Sequence, residues 1–256
     1  MKNYSLRNNL EIIKIIALTD FKLRYHGSVL GYLWTIIKPL MMFGVLYLVF
    51  SVLMKSPVEH YPVYLLLGII IWNFFAEGTI MGLSALLNKS SLISKIYFPR
   101  ILIVIASTCN SCITFFLNFL IFILFIIINK LSFSYAMLFF AVYLFELYLI
   151  ILGVSLVLSV LYVRFRDLSH IWEILLQIGF WLTPIFYSVD IVPEKYHRLF
   201  YLNPLTRIIH YSRSLFLDAN IPNLRLNIIM LLTSVFVFTI GIIIFNKYNK
   251  NLIEKI

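Results

Sequence analysis

Ile101–Ile128 is a run of 28 residues without one charged side chain. At about 1.5 Å per residue a helix of that length measures roughly 42 Å, more than the roughly 30 Å hydrocarbon core of a bilayer. The run is read as a membrane span that tilts or overhangs. In lipid only a helix or a closed barrel satisfies every backbone donor and acceptor, and 28 residues are far too many for one barrel strand. The rest of the chain agrees: 62% of its 256 residues are hydrophobic and 12% are charged. A soluble domain is nearer half apolar and a quarter charged.

Five more apolar stretches, at about 32–54, 62–83, 135–161, 171–189 and 226–245, complete a set of six expected spans. The expected fold class is therefore an all-α polytopic membrane protein, a single domain over 1–256 with no length left for a soluble one. Residues 1–29 precede the first span and carry Lys2, Arg7, Lys14, Lys22 and Arg24. Leu6, Leu10, Ile13, Ala17 and Phe21 recur there at steps of three and four, which predicts an amphipathic helix on the inner leaflet. A signal peptide is not expected, because no short apolar core follows the first bases closely. Residues 84–100 form a polar interval with Lys89, Lys95 and Arg100, in which a short amphipathic helix is expected.

Bases concentrate on cytoplasmic ends of spans. An even number of spans with both termini inside puts fourteen of the 21 bases on inner segments and only Lys55 and Lys130 on the two outer turns. The other five, Lys195, Arg198, Arg207, Arg213 and Arg225, then fall outside, against the tendency. The net charge of +10 is explained by membrane topology rather than by nucleic acid.

Those misplaced bases belong mostly to residues 174–217, where Pro184, Pro193 and Pro204 break an apolar sequence into pieces too short to cross a bilayer. Aromatics fill the intervals: Phe180, Trp181, Phe186, Tyr187, Tyr196, Phe200 and Tyr201. Broken helix at membrane depth is tolerated only where protein buries it or a cavity is lined by it. The segment predicts a lined pathway.

Chemistry is sparse. There is no phosphate loop, metal-ligand cluster or nucleophile elbow. Cys109 and Cys112 form a C-x-x-C inside an uncharged run, which deprives them of access and of further ligands. Glu77 and Glu146 are acids within spans, and such acids are costly to bury. An ion-coupled carrier would need them on a shared cavity, although no internal repeat of the kind common in carriers is evident. A membrane-embedded transferase would need an acid–base constellation that is not visible.

Four stretches, in order, resemble one family: DFKLRYHGSVLGYLWTIIKPL (20–40), LISKIYFPR (92–100), YVRFRDLSHIWEILLQIGFWLTPIFY (162–187) and YLNPLTRIIHYSR (201–213). They resemble the membrane subunit of polysaccharide ABC exporters of the O-antigen export (Wzm) type, whose relatives export teichoic acid or capsule. The resemblance covers essentially the whole chain. It implies a homodimer in the bacterial inner membrane, bound to a separate ATPase subunit that holds ATP and Mg, with no cofactor in this chain. The implied cargo is an undecaprenyl-diphosphate-linked polysaccharide, with membrane lipids around it.

Carried onto this sequence, 1–29 becomes an interface helix and 84–100 a coupling loop on the ATPase, with Leu87, Lys89, Leu92, Lys95, Tyr97 and Arg100 as contacts. Arg24, Tyr25, Lys38, Arg166 and Asp167 mark the cytoplasmic entrance, Lys38 standing where such proteins often carry an uncharged polar residue. Residues 184–217 become two short re-entrant helices at the outer mouth. Trp181, Pro184, Phe186, Tyr187, Asn203, Pro204, Arg207 and Arg213 are their expected gate and channel residues.

Overall fold

Small residues decide which helices meet in this protein, and they meet around one central helix. The computed structural model describes residues 6–249 apart from 25, 26, 56, 96 and 97, and every regular element among them is helical. The helices are α1 (Leu6–Arg24), α2 (Trp34–Tyr47), α3 (Tyr61–Asn88), α4 (Ser90–Lys95) and α5 (Ile101–Ile128), followed by α6 (Phe140–Arg164), α7 (Leu168–Leu182), α8 (Glu194–Phe200), α9 (Pro204–Phe216) and α10 (Leu224–Asn249). Short 3₁₀ turns lead into α2 and α6, and a π-helical stretch, Leu48–Leu53, extends α2.

α3 is apolar on all sides and packs along both α5 and α6. A helix hydrophobic all round belongs in the interior. Gly78 and Gly82 form a G-x-x-x-G on it. A methyl group on Gly82 would sit 2.3 Å from the Ser155 side chain, and one on Gly78 would sit 2.7 Å from Ile151. Lipid gives helices no hydrophobic reason to associate, so close backbone approach across small residues is what holds them. The same device joins α10 to α6. A Cβ on Gly241 would lie 2.4 Å from the Gly153 carbonyl oxygen, and one on Gly153 would lie 2.6 Å from that of Val237.

Five segments are long and apolar enough to cross a membrane: Gly31–Leu53, Tyr61–Asn88, Ile101–Ile128, Tyr135–Arg164 and Leu224–Asn249. The sixth expected span is shorter than the sequence reading had it. Its helix, α7, has 15 residues, about 22 Å, and ends at Leu182 rather than 189. Thr183 precedes Pro184 and is extended (ψ 135°), the conformation that a following proline imposes. Residues 184–217 then fold back as α8 and α9 over the end of the bundle.

That end also carries the turns at 55–60 and 129–134, and we call it distal. The basal end carries α1, α4 and the last turn of α10, where Arg100 donates to the Asn249 carbonyl at 2.7 Å and to its Oδ1 at 3.1 Å. A cation at a helix C-terminus satisfies orphan carbonyls and suits the helix dipole. Near the distal end Phe216 of α9 is clamped edge-on by Phe122 and Phe140, with ring centroids at 5.0 and 5.1 Å. Aromatic pairs of this geometry add to the area they bury, so α9 is part of the core.

The amphipathic N-terminal helix forms, but its apolar face is turned partly onto its own chain. α1 packs on α5 with Ile16 and Ala17 buried, whereas Leu10, in the expected stripe, is 66% exposed. Gly27 and Gly31, both at positive φ (79° and 46°), let the chain turn from α1 into α2. The polar interval 84–100 is also divided differently. α3 continues to Asn88, and the separate short helix is only the six residues of α4.

Candidate functional site

A cavity of about 660 Å³ opens at the basal half between α1, α2 and α3. Trp34, Pro39, Met42, Ala76, Ile80 and Met81 give it an apolar wall, and Arg24, Lys38, Thr35, Asn73, Glu77 and Thr114 supply the polar groups. Arg24 forms an ion pair with Glu77, whose Oε1 also accepts from Thr114 Oγ1 at 3.0 Å. Glu77 therefore has a basic partner, and that partner is not on a spanning segment. The partner comes from α1, 53 residues earlier. Lys38 is exposed on the same cavity.

A second cavity of about 420 Å³ continues from the first. Met42, Asn73, Ala76 and Ile80 line both, and Glu173, Leu176, Gln177, Phe180 and Trp181 of α7 close the far side. Together they form a groove along α2, α3 and α7, from two bases at the basal end to an aromatic cluster at the distal end. There Phe186 packs against Phe50, Phe180, Trp181 and Tyr187, with centroids 4.6–5.9 Å away.

Arg213 holds this distal cap to α3. It is buried and donates through Nη1 to the Pro184 carbonyl (2.7 Å) and through Nη2 to those of Ile185 (2.6 Å) and Tyr64 (3.2 Å). Its guanidinium lies 3.3 Å from the Tyr64 ring centroid. Arginine carries five donors in a fixed fork, and here the fork reaches two segments far apart in sequence. Gly68 leaves room for it, since a Cβ there would meet Nη2 at 2.8 Å. Tyr61 and Tyr64 hydroxyls donate to the Phe186 and Tyr187 carbonyls, each at 2.8 Å. Asn203 caps α9 by accepting from Leu205 N–H at 3.0 Å, and it donates to Thr183 Oγ1 at 3.1 Å. Pro204 takes the first position of α9, and Arg207 donates to the Tyr201 carbonyl.

The other expected residues are scattered. Lys89 is ion-paired with Asp20 of α1, and Arg100 caps α10, so both are engaged within the chain. Leu87 is half-buried on the last turn of α3; Leu92 is half-buried and Lys95 exposed on α4. Arg166 and Asp167 are exposed in the α6–α7 turn. Tyr25 and Tyr97 lie outside the described residues. Glu146 is 1% exposed, and its Oε2 has no hydrogen-bond partner among the described residues. It is sealed between helices while Glu77 faces the basal cavity, so the two acids do not share the environment that an ion-coupled carrier requires.

Sequence reasoning missed Tyr61, Tyr64, Gly68 and Thr183. The signal was present: Tyr61, Tyr64 and Gly68 are spaced i, i+3, i+7 and lie on one face of α3. The tyrosines had been absorbed into the general expectation that aromatics mark helix ends.

Residues 11–217 match the ABC-2 type transporter family. The chain belongs to that family. This ABC-2 chain is 28% identical over 246 residues to the O-antigen export system permease protein RfbA of Klebsiella pneumoniae, covering 95% of this chain and 94% of the relative. It is 27% identical over 212 residues to RfbA of Myxococcus xanthus, covering 80% and 79%. To the polysialic acid transport protein KpsM of Escherichia coli it is 24% identical over 242 residues, covering 91% and 93%. The resemblance read from the four sequence stretches therefore holds. The chain is a multi-pass membrane protein of the ABC-2 type transporter family.

Proposed function

We propose that this chain is half of a homodimeric channel that moves a lipid-linked, O-antigen-like polysaccharide across the bacterial inner membrane. The basal end is cytoplasmic, with both termini inside, and α7 together with the cap over 184–217 completes a sixth crossing, with α8 and α9 re-entering from outside. A separate ABC ATPase binds ATP and Mg and docks against α1, α4 and the exposed Lys95. The groove between α2, α3 and α7 is the single observation that carries this reading. It joins a basal mouth bearing Arg24 and Lys38 to an aromatic distal cap, the order needed for a substrate with an anionic diphosphate and a trailing sugar chain. Sugar rings pack well on exposed aromatic faces such as that of Trp181, which is 54% exposed.

The test is co-expression with an ABC ATPase subunit followed by purification and an export assay. A complex containing two copies of each subunit, and polymer retained inside cells lacking the ATPase, is expected. A monomeric chain with export intact after every such ATPase is deleted overturns the proposal.

The Arg24–Glu77 pair lines the basal mouth, which gives a sharper expectation. Glu77→Arg places two guanidinium groups together in a half-buried site and should cost on the order of 1–2 kcal/mol, discounted for the exposure of Arg24. The double exchange Arg24→Glu/Glu77→Arg should recover most of the lost thermal stability. Unfolding midpoints of the four proteins in detergent measure it, and an additive pair of losses would show that the two residues are not coupled.

A further inference from the structure

Four of the five bases that the topology leaves on the distal side divide into two kinds; the fifth, Arg225, is exposed in the first turn of α10. Arg207 and Arg213 are turned inward onto backbone carbonyls. Lys195 and Arg198 of α8 are exposed, Lys195 Nζ lying 4.7 Å from the Tyr196 ring centroid, and among the described residues neither side chain has a hydrogen bond or ion pair. The two faces of α8 differ in the same way. His197, Phe200 and Tyr201 face the protein: His197 Nε2 is 2.7 Å from the Val192 carbonyl, Phe200 meets the Tyr187 ring, and Tyr201 meets the His210 ring. Lys195, Arg198 and Leu199 fall at i, i+3 and i+4 on the opposite face, with Leu202 about one turn after, and Ile191 lies in the 3₁₀ turn that precedes the helix.

Ile191, Leu199 and Leu202 are 69%, 61% and 70% exposed. Bare leucines beside bases that no acid neutralises, on a short helix at the end of a membrane bundle, fit one surroundings better than any other. The leucines enter acyl chains while the bases reach up to phosphates on their own methylene stems. Water would leave the leucines uncovered, and a polymer of sugars would leave them equally unmatched. The exposed acid on this helix, Glu194, sits in its first turn, where it suits the helix dipole; it borders this face one turn before Arg198, with no ion pair between them.

We propose that the outward face of α8 is a docking surface for anionic phospholipid of the outer leaflet, with Lys195 and Arg198 binding the headgroup phosphate. The surface fixes the distal cap to the bilayer, and the inference holds whatever the exporter carries.

Two measurements on the full-length protein test it. In nanodiscs, a spin label on Leu199→Cys, in a Cys109→Ser/Cys112→Ser background, should be relaxed strongly by oxygen and weakly by a water-soluble nickel chelate. In native mass spectrometry from an equal mixture of phosphatidylglycerol and phosphatidylcholine, the protein should retain phosphatidylglycerol with a preference of about tenfold. Lys195→Gln/Arg198→Gln should bring that preference near parity. A label shielded from both reagents means that protein covers the face, and a label open to the chelate means that water does; either overturns the proposal. So does an unchanged lipid preference in the double variant, with or without a loss of polymer binding.

Discussion

An Arg213→Gln variant should unfold about 3 kcal/mol more easily than the parent, because glutamine reaches at most one or two of the three carbonyls that Arg213 serves. Each buried acceptor left unmade costs roughly 1–3 kcal/mol. Arg213→Lys should recover only part of the loss, since an ammonium lacks the planar fork that spans Pro184, Ile185 and Tyr64 together. The local consequence is as specific as the global one. Without its pin the segment 183–217 should become cleavable by protease while the helical bundle stays intact. Thermal unfolding in detergent and a timed digest read the two effects. A variant with an unchanged midpoint and an unchanged digest would mean that the cap is held by the tyrosine hydroxyls and packing alone.

The second large effect is expected where α6 and α10 cross. Gly241→Leu forces a side chain into the Gly153 backbone, which has no rotamer by which to retreat. Overpacking ordinarily costs about 1–3 kcal/mol when side chains give way. Here backbone must move, so about 3 kcal/mol or more is expected, together with loss of the α10 contact. Gly44→Ala is the matched control, because nothing lies within 4 Å of a Cβ built there, and it should fall within about 0.5 kcal/mol of the parent. Cysteine cross-linking between α6 and α10, alongside the unfolding midpoint, separates lost docking from general instability. If Gly241→Leu behaves like the control, the crossing is wider than described.

The spans were legible because a charge-free apolar run of 28 residues has few places to go, and the proline breaks in 174–217 announced a departure from simple crossing. The family was legible for a related reason: its motifs lie at helix ends, where sequence is least interchangeable. What could not be read was pairing across distance. Glu77 looked like an orphan acid because its partner sits on a helix outside the spans, and Arg213 looked like a misplaced charge because its partners are backbone oxygens, which no sequence displays. The stretch expected to span at 171–189 gives a helix that stops at Leu182, because Pro184 ends it while apolar residues continue beyond. Lys89 and Arg100 were expected to face another subunit, yet each has an intramolecular partner that hydropathy cannot reveal.

The 28 residues of α3 have a mechanical meaning beyond their burial. Glu77, past the middle of this helix, and Lys89, the residue just beyond it, are tied to α1. Its first two turns are tied to the cap through Tyr61, Tyr64 and the space kept at Gly68. Its only proline, Pro62, lies in the first turn, so unbroken helix of about 20 Å (Tyr64 to Glu77) to about 42 Å (Tyr61 to Lys89) runs between the two sets of ties. Such an element is a push-rod. A displacement of α1 would reach the cap along this one helix, and the Phe21–Tyr32 stack at 5.0 Å would carry it to the lead-in of α2 as well. The two ends of the groove are thereby joined through a single rigid element.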